Sequence, residues 1–142
     1  MKFKTGPVTY VPAVGTTITG GQLVEGRAGG RIGVAAAGST KVLGVAITDA
    51  ISPEALVTTP AVVNGRPTLT AAALPQNVGV VSNGIEVPVT YAAAAAFGDP
   101  LVAAANGQVT PAGATPDART IVGKCTALAG VAAGAVGLMR TA

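Results

Sequence analysis

The chain contains no histidine and no tryptophan, and one cysteine among 142 residues. Without imidazole there is no Ser-His-Asp or Cys-His catalysis and no histidine metal ligand. A single thiol, Cys125, excludes an intramolecular disulfide and a cysteine metal cage. Two Tyr and two Phe are the only aromatics, too few stacking surfaces for a small-molecule pocket. Charge is also scarce, at 11% of residues against about 25% in ordinary soluble domains. The net charge of +3 comes from scattered Lys and Arg, not the clustered cations and interleaved aromatics that nucleic-acid binding needs. The acids Glu25, Asp49, Glu54, Glu86, Asp99 and Asp117 form no close pair. The glycine clusters carry no Walker lysine and open no helix. The longest apolar stretch, Cys125 to Met139, is interrupted by Gly130, Gly134 and Gly137, and falls short of the ~20 residues a spanning helix needs. Met1 to Pro7 lacks the apolar core of a secretory leader. No enzyme activity, cofactor, metal, nucleic acid, membrane or small-molecule substrate is expected.

What is present is small and apolar. Hydrophobic residues are 49% of the chain, mostly Ala and Val, which bury little area each. A thin core of this kind predicts that folding is completed by association with copies of the chain or with another protein. A pattern also occurs twice. It runs Gly21-Gln22-Leu23-Val24, Gly30-Arg31-Ile32, Lys41 to Ala46, and again Gly98 to Val102, Gly107-Gln108-Val109, Arg119 to Cys125. Each copy reads as a strand, a glycine turn, a second strand, a polar loop and a third strand broken by one glycine, Gly44 or Gly123. Glycine inside a strand marks a bulge, a bend or a close backbone. Cys125 stands where Ala46 stands in the first copy, a small buried position.

The fold class predicted is mainly all-β: a small, partly open β-barrel or sandwich-like domain with an extended N-terminal arm and little or no helix. Residues 1–15 form the arm, held extended before Pro7 and Pro12. It is expected to pair with a neighbouring chain's sheet edge. Residues 16–142 form one domain with two similar β-units, about 16–48 and 97–127, and an insertion at about 49–77. Asn64-Gly65 predicts a hairpin inside the insertion, and Asn83-Gly84 a second hairpin over residues 78–91. In the latter, Ile85, Val87, Val89 and Tyr91 share one face, and Pro88 indicates an edge or a bulge. Ala92 to Ala96 reads as a short helical turn or a strand end against another backbone. Gly98-Asp99-Pro100 reads as an Asx-type corner in which the carboxylate accepts nearby backbone N–H groups. Val136 to Met139 lies in a closing strand.

The ordered set of motifs resembles the capsid cement, or head decoration, proteins of tailed bacteriophages. The matching segments are Gly21 to Val24, Leu43 to Ala46, Gly98 to Val102, Gly107 to Thr110, Ile121 to Cys125 and Val136 to Met139. The resemblance covers most of residues 16–142, and residues 49–77 have no part in it. It implies a non-enzymatic homotrimer on the outer surface of an icosahedral capsid. There it would bridge major capsid protein subunits and stabilise the expanded shell. On this reading Lys2, Phe3, Lys4, Val8, Tyr10 and Val11 are the candidate capsid or inter-protomer contacts. Gly44, Gly123, Gly98 and Asp99 are structural positions. The alternatives are another phage structural subunit, such as a tail tube or fibre component, or a small β-rich surface binding module.

Overall fold

The computed structural model describes residues 6–55, 61–68 and 75–142. Fourteen strands follow in chain order among them: β1 Val8–Tyr10, β2 Thr17–Ile18, β3 Leu23–Gly26, β4 Ile32–Val34, β5 Val42–Ala46, β6 Ala50–Ile51 and β7 Ala61–Val63, then β8 Arg66–Thr68, β9 Val78–Val81, β10 Glu86–Thr90, β11 Pro100–Ala103, β12 Val109–Pro111, β13 Ile121–Cys125 and β14 Val136–Thr141. Helix is confined to three-residue 3₁₀ turns. No described helix is long and apolar enough to cross a membrane. The fold is mainly β, with antiparallel sheets, none of them closed into a barrel.

The two large sheets are copies of one plan. The first has the order β1-β9-β5-β3-β4 and the second β10-β14-β13-β11-β12. The duplication therefore embraces five strands per unit, two more than the sequence pattern shows. Equivalent hydrogen bonds recur. The Gly21 N–H donates to the Ala46 carbonyl at 2.7 Å, and the Gly98 N–H to that of Cys125 at 2.9 Å. The hairpins β3–β4 and β11–β12 turn through Gly29-Gly30 and Asn106-Gly107, all four with positive φ, where Gly and Asn are least strained. Parallel bridges join Pro12 to Ile32 and Tyr91 to Val109. The β2–β6 pair of the first unit corresponds to the Ala95–Val131 bridge of the second.

Burial explains where the copies diverge. In the first sheet Leu23, Val45 and Val81 lie side by side across β3, β5 and β9. All three are at most 4% exposed and join the larger core cluster with Tyr91, Leu101, Val109, Cys125 and Met139 of the second unit. The matching row of the second sheet is Pro100, Lys124 and Arg140, all exposed. One face meets protein and its counterpart meets water, so the first is aliphatic and the second carries charge. A smaller cluster of Ile18, Val24, Ile32, Ala46, Ala50, Val78 and Val80 fills the other face of the first sheet.

Three expectations change. Residues 78–91 are not a hairpin: β9 pairs with β1 and β5, while β10 pairs with β14. Asn83 and Gly84 do have positive φ, but the turn carries the chain from one sheet to the other. Thr141 holds it there, accepting from the Ile85 N–H at 3.1 Å on its hydroxyl and from the Gly84 N–H on its carbonyl. The expected arm is in part a strand, because β1 pairs with the chain's own β9 and Pro12 is buried. Of the two readings of Ala92–Ala96, the strand end against another backbone holds: Ala95 bridges Val131. The insertion falls inside the first unit rather than between units, since β9 belongs to the first sheet. Asn64-Gly65 does close the β7–β8 hairpin, and Pro88 does lie on an edge strand, β10.

Candidate interaction surfaces

No cluster of three or more His, Cys, Asp or Glu side chains is placed to hold a metal among the described residues. Cys125 is fully buried. Tyr91 is also fully buried, and its hydroxyl donates to the Leu138 carbonyl at 2.9 Å. Burial, with the neighbouring Cys125, drives the Tyr91 phenol far above its ordinary range. It is a fixed strut between β14 and the core.

The carboxylates are structural. Glu25 is 6% exposed. It meets Arg27 at 2.8 Å and accepts from the Ala36 N–H at 3.2 Å. Burial pushes its pKa upward, but the Ser39 hydrogen bond, the Ala36 N–H and the Arg27 charge outweigh it, leaving a net lowering. Asp99 accepts from the Ala96 N–H at 2.8 Å, which fixes the corner before β11. Asp49 accepts from the Gly20 N–H at 2.7 Å. Glu54 pairs with Arg31, Asp117 with Arg119, and Glu86 with Arg140.

The interior glycines occupy matched positions. A Cβ on Gly44 would overlap the Val81 carbonyl of β9. A Cβ on Gly123 would overlap the Arg140 carbonyl of β14 and come within 2.9 Å of Met139 Sδ. Val81 and Arg140 are themselves equivalent residues. Both glycines adjoin a register shift in the neighbouring strand, at Val24/Glu25 and at Leu101/Val102. The sheet bends at these two points.

Large apolar side chains at the surface are the candidate contact points. Of the contacts expected from sequence, Lys2, Phe3 and Lys4 lie outside the described residues. Val8, Tyr10 and Val11 are half-buried, and Tyr10 packs on the smaller core. The structure exposes other residues instead. Phe97 (55% exposed) and Leu128 (86%) flank a cleft of about 690 Å³ beside the Ala95–Val131 bridge. Residues 62–68 of the β7–β8 hairpin are all exposed, Val62 and Val63 included. Val136 and Leu138 stand on the outer face of the second sheet. Sequence reading missed this face, because Val136 to Thr141 puts apolar and polar residues on both sides of the strand and so carries no clear alternation.

No family model matches the chain, and no curated protein matches it. Among solved structures, the fold is similar to the N base of head fibre gp8.5 of bacteriophage phi29. The TM-score is 0.62 at 16% identity, over 96% of this chain and 94% of that one.

Proposed function

We propose that this chain is a non-enzymatic structural protein of a tailed-phage virion. It binds the outer surface of the icosahedral shell as a homotrimer and bridges major capsid subunits. The observation that carries the reading is the end-to-end likeness to a phage head fibre base, with almost the whole of both chains aligned. One feature agrees with it: large apolar side chains stand exposed at Phe97, Leu128, Val136 and Leu138. Many weak contacts repeated over a lattice retain such a subunit through effective concentration.

The likeness to a head fibre base also favours a second reading, in which the chain is the foot of a projection rather than a clamp. Electron microscopy of particles with and without the gene product separates these. The clamp reading expects compact knobs over the shell and particles that break at lower temperature when the protein is absent. A thin projection rising from each site, with unchanged shell stability, selects the fibre reading. Density in the tail alone overturns both. Light scattering of the purified chain and a particle map together test the trimer.

A further inference from the structure

We infer that the outer face of the second sheet docks a segment of a different protein, one that carries a carboxylate beside an apolar side chain. The inference rests on the structural-subunit reading for the identity of that partner. In the first unit the equivalent face, Leu23, Val45 and Val81, is where the second unit packs. The fold thus already uses this face of its repeat to hold protein. In the second unit the face is open. It holds a groove of about 350 Å³ lined by Gly98, Pro100, Ile121, Lys124 and Arg140. Val136 (66% exposed) and Leu138 (44%) continue the apolar surface beside it, with Pro88 directly across from Leu138.

Charge selects the partner. Lys124 is exposed and has no ion pair among the described residues. Arg140 holds Glu86 at 3.3 Å on an exposed surface, a weak and easily exchanged pair. The chain has six carboxylates. Four sit in ion pairs, and Asp49 and Asp99 accept backbone N–H groups. The nine Lys and Arg also outnumber the six acids, so a second copy would have to give up one of these contacts to supply Lys124, whereas a different protein need not. A carboxylate from another protein would pair with Lys124 and Arg140, and its apolar neighbour would cover Pro100 and Ile121.

Two measurements test this. The first records amide shifts of the full chain with the peptide acetyl-Gly-Glu-Val-Phe-Gly-amide at millimolar concentration, and with its Gln counterpart. Shifts grouped at residues 98–100, 121–124 and 136–142 that fade with the Gln peptide support the inference. Shifts elsewhere, or equal with both peptides, overturn it. The second measures binding of wild type, Lys124→Glu and Lys124→Arg to shells stripped of this protein. Lys124→Glu should bind about tenfold more weakly, with a shallower salt dependence, and Lys124→Arg should bind as wild type. Shell binding by wild type with no loss in Lys124→Glu overturns the docking face and leaves the structural-subunit reading standing. If wild type ignores shells while the acidic peptide still maps to the groove, the shell reading fails and the docking face stands.

Discussion

Placing a methyl group at Gly123 tests the packing of the whole second sheet. Its Cβ would meet the Arg140 carbonyl on β14 and come within 2.9 Å of Met139 Cγ and Sδ. Real Cβ atoms do not approach backbone this closely, so β13 must move away from β14. Overpacking a well-filled site costs about 1–3 kcal/mol. Gly44 carries the same clash against the Val81 carbonyl, together with φ of +155°, a backbone region that adds on the order of 1–3 kcal/mol for a side chain. Gly44→Ala should therefore lose about 2–6 kcal/mol, as the sum of those two terms, and Gly123→Ala about half as much. For a domain near this size each kcal/mol lowers Tm by roughly 3–4 °C. Gly26→Ala is the control, since nothing lies within 4 Å of its Cβ position. It should be neutral or gain about 0.4–1 kcal/mol from the stiffened unfolded chain. Calorimetric or circular-dichroism melts of the three variants provide the assay. Gly44→Ala and Gly123→Ala melting at or above wild type would refute the close approach of strands, and with it the matched bends of the two units.

Glu25 has a folded pKa below its ordinary 4.5, so its stabilising contribution is complete above that value and is lost as pH falls through the folded pKa. Denaturant midpoints measured downward from pH 6 should drop in this range, and Glu25→Gln should flatten the drop. Tyr91→Phe removes one of two donors to the Leu138 carbonyl, which keeps the Thr126 N–H at 3.1 Å, and should cost about 0.5–1.5 kcal/mol in a denaturant titration. Cys125 is fully buried, so its thiol should resist an aromatic disulfide reagent until the chain is unfolded. Cys125→Ala, which copies Ala46 of the first unit, should keep the fold with only a modest loss of melting temperature.

Composition and local pattern carried the strand-rich fold, the tight turns and the two bends. Turns depend on neighbours in sequence: Asn64-Gly65 supplies its own positive φ, and Gly44 and Gly123 announce themselves because a strand interior disfavours glycine. The alternation from Glu86 to Tyr91 likewise specified which side chains face inward. Strand partners were not legible. Asn83-Gly84 has hairpin chemistry, yet β9 and β10 belong to different sheets, because the partners that bury Val80 and Val87 come from β1, β5 and β14, distant in sequence. The duplication was visible only in β3, β4 and β5 and their counterparts β11, β12 and β13. The remaining pairs, β1 with β9 and β10 with β14, share a topology with little shared sequence. The candidate docking face lay deepest of all. Lys124 and Arg140 are unremarkable as isolated cations in the chain. They become a candidate site because antiparallel register sets them side by side, on the one copy of the repeated face that no other described part of the fold covers.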